Sequence, residues 1–377
     1  MMDSTVTFAR PAQQRGAMML TAVLLLLILV TLVTLSTGRV KSFEHKIILN
    51  AQNYQLAFSS AEAGLARAIS RLTEDPGWDG TAITGSLPGQ GSYSVQGVRQ
   101  TITRESTVLQ LVTLTARGMS PDTLSTVDQQ QQVIQYSVLA NPPDVPLIVA
   151  GGLGVSGNFE VVANPNGGGE GVPLSIWTDK PVNMQSGSGT TCGLQEFRDG
   201  NCSGSPYSEK GFKDLDILDD DVNFPPDMME YLFNIPEAEW PTLRADADLR
   251  LTDCSTLGPS STGLLWVDGD CTVNSNTIIG SPDDPVVLVV ADGNLRMNGG
   301  AQINGMVFPF RKPTTVADFD IDMVGSARVN GVVASNHPVG NSGGTYNSVY
   351  DAEVLQGLRL SDAFQRVAIV PGSWRDF

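Results

Sequence analysis

The chain has 377 residues, a formal net charge of −17 and 39 glycines. The negative balance argues against nucleic acid or an anionic lipid surface as the main partner. The length is more than one core usually covers, so two folded units are expected, and the abundance of Gly with Asn, Ser and Asp predicts turn-rich β structure.

The first element is an apolar run. Residues 17–37 carry no charge and are rich in Leu, Val and Ile. At about 1.5 Å per residue the run reaches roughly 30 Å, the thickness of a bilayer's hydrocarbon core. A secretory h-region is only about 7–15 residues long and ends at a small-residue cleavage site, which is missing here. Arg10 and Arg15 precede the run and favour a cytoplasmic N-terminus, although Arg39, Lys41 and Lys46 follow it. No Pro interrupts residues 17–75, and Asp75-Pro76-Gly77 stops the pattern. One helix of about 55–60 residues is therefore predicted. Its second half carries an apolar stripe at spacings of three and four, formed by Tyr54, Phe58, Ala61, Leu65, Ala68/Ile69 and Leu72.

The junction Arg15-Gly16-Ala17 against the apolar run resembles the class III signal of type IV pilins. The segment NYQLAFSSAEAGLARAISRL resembles the signature of PilX-type minor pilins. The resemblance covers residues 13–72 and implies cleavage by a prepilin peptidase between Gly16 and Ala17, with Ala17 as the N-methylated first residue. The fifth residue of the mature chain would be Thr21, where major pilins carry a Glu that pairs with a neighbouring subunit. PilX-type minor pilins and the large tip pseudopilin of type II secretion also lack that Glu. A buried carboxylate without its partner is costly, and a subunit with no helix above it can dispense with one.

Beyond the helix, SYSVQGVRQTITRESTVLQLVTLTARG reads as two β-segments broken near Glu105-Ser106, and VDQQQQVIQYSVL reads as a third. Their alternation predicts half-buried antiparallel strands, and Asn141-Pro142-Pro143-Asp144 reads as a linker. The pattern then changes. VAGGLGVSGNFEVV is echoed by WVDGDCTVNSNTII, by VVADGNLRMNGGAQINGMVF and by FDIDMVGSARVNGVVA. Short β-runs turning at Gly and Asn, at roughly 20–30 residues per copy, predict a parallel β-helix. An irregular β-sandwich with the same turn residues is the competing reading. The expected fold class is α+β, a long helix with a small antiparallel sheet followed by a β-rich solenoid. The expected organisation is a leader at 1–16, an assembly helix at 17–38, a pilin-like unit at 39–140 and a head at 141–377. A disulfide-bearing elaboration is expected to leave the solenoid at about 163–265, and the C-terminal AFQRVAIVPGSWRDF reads as a strand packing back on the core.

Four cysteines, Cys192, Cys202, Cys254 and Cys271, all lie beyond the apolar run. An even count in an exported domain predicts two disulfides, with three connectivities open. Pairing Cys192 with Cys202 and Cys254 with Cys271 closes the shortest loops. No C-x-x-C is present and neither His is near, which argues against zinc. The run DLDILDDDVN offers Asp214, Asp216, Asp219, Asp220 and Asp221 as candidate Ca²⁺ ligands, without the EF-hand spacing. A solvated acidic loop is the plainer reading.

A stacked row of Asp268, Asp292, Asp320 and Asp322 with Arg296 and Arg328 would suit a polysaccharide-cleaving solenoid, but Asp268-Gly269 and Asp292-Gly293 are also turn dipeptides. His45 and His337 join no readable triad, and no phosphate-binding loop is present. No enzyme is expected and no cofactor is assigned. The resemblance implies a minor pilin or pseudopilin in the bacterial inner membrane with its C-terminal domain in the periplasm, later extracellular in a fibre. Its partners would be prepilin peptidase, other pilins and the assembly platform, and its head would meet a surface or carbohydrate ligand. A head this large would clash with a subunit stacked above it, which predicts a tip position. The rivals are a membrane-anchored enzyme or binding protein acting on polysaccharide, and an uncleaved scaffold.

Overall fold

The computed structural model describes residues 15–104, 107–153, 158–169, 171–184, 188–339 and 345–377. A single helix, α1 (Arg15–Glu74), runs for 60 residues, about 90 Å. Ala57, Ala61, Leu65, Ala68 and Leu72 are at most 3% exposed and form its buried stripe. Tyr54, expected in that stripe, is 45% exposed and lies beside Phe58 at 6.4 Å between ring centroids. Alanines form the seam because the helix and the sheet approach too closely for larger side chains.

The sheet under this seam is antiparallel. Its strands are β1 (Ile83–Leu87), β2 (Gly91–Arg104), β3 (Thr107–Met119) and β4 (Thr126–Ser137), in spatial order. Val95, Val112, Leu114, Ala116 and Val133 face the helix and close a core with Leu65, Leu72 and Trp78. Gly118 makes the close approach possible. A Cβ there would lie 1.9 Å from the Ala57 carbonyl oxygen and 2.5 Å from the Ala61 nitrogen.

The chain then enters its larger unit. The first strands are β5 (Leu147–Val149), β6 (Asn158–Val162), β7 (Ile176–Thr178) and β8 (Thr190–Cys192). Next come α2 (Leu194–Arg198), β9 (Ser208–Glu209), β10 (Ile217–Leu218), α3 (Met228–Phe233) and α4 (Trp240–Ala245). Then follow β11 (Leu249–Leu251), β12 (Gly263–Asp268), β13 (Cys271–Val273), β14 (Ile278–Ile279), β15 (Val286–Ala291) and β16 (Leu295–Met297). The remainder is β17 (Gln302–Phe310), β18 (Ile321–Met323), β19 (Arg328–Ser335), β20 (Thr345–Val349), α5 (Ala352–Leu360), β21 (Gln365–Ile369) and β22 (Arg375–Asp376).

Three sets of parallel pairings share one apolar interior. The first runs β11-β12-β15-β17-β19-β5-β7-β10. The second is β13-β16-β18. The third uses the opening residues of β17 and β19 and runs β14-β17-β19-β20-β6-β8. Val267, Val290, Val307 and Val333 from the first set meet Met297 and Met323 from the second and Ile303 and Val329 from the third. β17 and β19 change face at Gly305 and Gly331, which are directly in register. Their φ angles are 145° and 135°, and a Cβ at Gly305 would strike the Val286 carbonyl oxygen at 1.9 Å. Only glycine fits that stacked corner.

The first ladder is covered on its outside as well. Met228, Met229, Leu232, Leu243, Leu355 and Leu358 from α3, α4 and α5 pack on Trp266, Val287, Val289, Phe308, Phe310 and Val332. Burial on both faces is why β12 and β15 read as unbroken apolar runs.

Three expectations change. The spatial order of the ladder is permuted, since β19 near the end of the chain joins β5 near its beginning. The stretch 163–265 therefore does not simply leave the ladder as an elaboration. Its strands β7, β8 and β10 extend the ladder, and α3 and α4 then lead back along the outside to β11. The Asn141-Pro142-Pro143-Asp144 segment is docked between buried neighbours, Leu139 and Val145, and the Asn141 side-chain amide donates to the Tyr231 carbonyl at 2.6 Å. Finally, β21 and β22 pair antiparallel with β4, so the C-terminal tail completes the antiparallel sheet. The larger unit is thus inserted between two strands of the smaller one.

Candidate assembly interface

α1 divides into a bare half and a packed half. The stretch from Met18 to Leu49 exposes nearly all of its large apolar side chains, Leu25 at 67% and Leu29 at 62% among them. Its most apolar window has a mean hydropathy of 2.8 and is wholly unburied within the chain. Such a surface is stable only in lipid or against other apolar helices. The hydroxyls in this half turn inward on the helix itself. Thr21 donates to the Met18 carbonyl at 2.9 Å, Thr34 to Val30 at 3.0 Å and Thr37 to Val33 at 2.8 Å. Threonine thereby satisfies its own polar group within one turn, whereas a carboxylate at Thr21 would need a partner from outside.

Gly16 and Ala17 lie in the first turn of α1, and residues 1–14 of the expected leader fall outside the described residues. From Ala57 onward the helix packs on the antiparallel sheet. Phe58 meets Trp374 of the C-terminal tail at 6.0 Å between ring centroids, and the Ser373 hydroxyl donates to the Gln132 carbonyl at 3.2 Å. The packed half of α1 and the C-terminal tail are in this way joined to one sheet.

The cysteines come together in the pairs expected from loop length. Cys192 and Cys202 have Cα atoms 5.3 Å apart, and Cys254 and Cys271 are 5.0 Å apart, both distances suited to disulfides. The first pair ties the turn after α2 to β8, and the second ties the chain after β11 to β13.

The acidic run does not converge. Asp216 is buried and accepts hydrogen bonds from the hydroxyls of Ser175 at 2.7 Å and Ser208 at 2.6 Å, and from Thr191. Asp219 pairs with Lys213 at 2.7 Å and accepts from the Val182 amide at 2.7 Å. Asp221 accepts from the Trp177 indole at 2.9 Å and the Asn223 amide at 2.9 Å, which hold its carboxyl below the usual carboxylate range. Among the described residues no group of three or more His, Cys, Asp or Glu is placed to hold a metal ion. The run is a set of separate struts that fasten the turn before α3.

The Asp and Arg residues weighed as a row for polysaccharide cleavage are taken up in separate contacts. Asp268 accepts from Arg244 at 2.8 Å and from the Trp266 indole at 3.0 Å, and Lys312 bridges it to Asp292 at 3.3 and 3.6 Å. Arg296 pairs with Asp322 at 3.6 Å, and Arg328 belongs to the third ladder. His337 is buried, its Nε2 has no hydrogen-bond partner among the described residues, and burial pushes its pKa down. His45 stands on the exposed half of α1.

A protein-family model described as PilX N-terminal matches residues 15–66, the bare half of α1 together with most of its packed half. This match supports a type IV pilin-like protein. With the exposed apolar helix it fits a membrane-anchored chain whose partners are other pilins. No curated protein and no solved structure matches the chain.

Proposed function

We propose that this protein is a non-enzymatic minor pilin or pseudopilin placed at the tip of a type IV pilus-like fibre, where it primes assembly and presents a recognition head. The observation that carries this reading is the unburied apolar half of α1, coincident with the PilX N-terminal match at 15–66. On this reading the helix is held in the inner membrane with the head in the periplasm, is released from its leader by prepilin peptidase between Gly16 and Ala17, and then packs among the helices of the fibre. The self-satisfied Thr21 supports a place with no subunit above it. The bulk of the larger unit, read as a parallel β-helix, supports the same place. The two cysteine pairs are read as disulfides formed after export.

The test is the mass of the N-terminal peptide of the protein taken from host membranes, with and without prepilin peptidase. A peptidase-dependent start at Ala17 is expected. A chain with the same unprocessed N-terminus in both strains would overturn the reading and leave an anchored scaffold.

A further inference from the structure

The third ladder presents its outer face to solvent, and that face carries an ordered row of side chains that is polar beyond Ile278. Ile278 is in register with Gln302, and Gln302 with Arg328. Val329 pairs with Ser348, which brings Arg328 level with Asn347, and Asn347 is in register with Glu160, and Glu160 with Thr190. Six parallel strands thus contribute one side chain each. At about 4.8 Å per strand the row extends about 24 Å.

The row lies in a continuous groove. One hollow of about 540 Å³ includes Gln302 and Arg328, and a second of about 450 Å³ includes Arg328, Asn347, Glu160 and Thr190. Arg328 and Phe197 line both, so the two hollows meet over the centre of the row. Phe197 comes from α2, which the Cys192–Cys202 pair holds over the ladder. Tyr350 stands at the side of the larger hollow.

The polar groups are already ordered. Arg328 donates to Asn330 at 2.9 Å and to Gln302 at 3.1 Å, and Asn330 donates to Asn304 at 2.9 Å. Asn347 donates to the Ala327 carbonyl at 2.9 Å. Side chains fixed in this way lose little further entropy when a ligand arrives. Burial raises the pKa of Glu160.

We infer that this groove is a binding site for a linear, uncharged oligosaccharide lying across the strands. Three features select that chemistry. Amides and a hydroxyl both donate and accept, and with an Arg donor and a Glu acceptor they match the hydroxyl groups of successive sugars. Phe197 and Tyr350 supply apolar surface for the C–H faces of the rings. Charge is balanced in the groove, with Arg198 and Arg328 against Glu160 and Asp351, while the chain as a whole carries −17, which disfavours a polyanion. An extended peptide fits less well. It would seek unpaired main-chain groups at a sheet edge, and among the described residues the strands of this row have neighbours on both sides except β14 at its end.

The inference rests on reading the larger unit as a recognition head, but not on leader cleavage. The test uses the full chain in detergent micelles on an array of linear hexasaccharides of the gluco-, manno-, galacto- and N-acetylhexosamine series, with acidic hexasaccharides and neutral hexapeptides alongside. Retention of at least one neutral series is expected, with affinity reduced about tenfold or more by Arg328→Ala and by Phe197→Ala, and unchanged by Arg250→Ala on β11. The two groove variants stand on separate elements, so one remains informative if the other fails to fold. Retention of no neutral hexasaccharide, retention of peptides or acidic sugars only, or equal binding by all variants would overturn the inference. An unprocessed N-terminus together with groove-dependent sugar binding would overturn the pilin reading and leave the groove standing.

Discussion

Gly118 gives the sharpest test of how the rod is joined to the sheet. Its backbone is not in the left-handed region, so alanine is compatible with its local conformation. Without a steric obstacle, Gly118→Ala would stabilise the fold by about 0.4–1 kcal/mol through the unfolded chain. The obstacle is the α1 backbone, 1.9 Å from the new Cβ at the Ala57 oxygen, where ordinary contact begins at 3.4 Å. The helix and β3 must therefore separate by about 1.5 Å at this point, and a gap half that size already forfeits a quarter to a half of the dispersion attraction across it. The neighbouring seam residues, Ala57, Ala61 and Ala116, are fully buried and lose contact together. Such overpacking against rigid backbone costs about 3 kcal/mol or more, which reverses the sign of the substitution. Hydrogen exchange of the full chain in detergent, read on peptides from β3 and from β15, separates the two units. Protection is expected to fall in β3 and to persist in β15. Unchanged or increased protection in β3 would refute the close-packed seam. Gly38→Ala, with nothing within 4 Å of its Cβ, serves as the neutral control.

Three further outcomes follow from the larger unit. Peptide mapping without reductant is expected to recover Cys192 linked to Cys202 and Cys254 linked to Cys271, and loss of either link by Cys→Ala is expected to lower stability by about 3 kcal/mol, from loops separated by 10 and 17 residues; any other connectivity contradicts the ladder register. Asp216→Ala strands the hydroxyls of Ser175, Thr191 and Ser208 and is expected to cost about 3 kcal/mol or more in urea unfolding, so a loss below about 1 kcal/mol would show that water replaces the carboxylate. His337 has its pKa depressed by burial below the ordinary 6.5, so the unfolded chain takes up the proton first. Its contribution is complete above that value and is lost as pH falls toward the lower folded one. The urea midpoint is expected to drop between about pH 7.5 and 5.5 in the parent and to drop less in His337→Gln; equal slopes would place the titration elsewhere.

The long helix was legible because every local signal agreed, from the uninterrupted apolar run to the Asp75-Pro76-Gly77 stop. The antiparallel strands followed from alternation alone, and the break expected at Glu105-Ser106 lies outside the described residues. What alternation could not show was the destination of the C-terminal tail, because a partner in β4 lies far away in sequence. The permuted order of the parallel ladder was hidden for the same reason. Periodicity finds strands, and only the packing of β19 on β5 decides which coil neighbours which. The acidic run illustrates a different limit. Five aspartates in eight positions look like one site, yet Asp216, Asp219 and Asp221 each turn to different partners. The polar row of the groove was present in outline, since QING and RVNG repeat the same polar–apolar–polar–glycine pattern in β17 and β19. That pattern reads as outward Gln302, Asn304, Arg328 and Asn330 only when the two glycines are known to stack. Gly118 had no sequence signal apart from being a glycine at the end of a β-run.

The central claim is a subunit that caps a fibre, and gold labelling of the head on sheared fibres tests it most directly. Antibody against the larger unit is expected to mark one end of each fibre, in preparations whose protein begins at Ala17. Label distributed along the fibre length, or confined to membranes with none on fibres, would contradict the account.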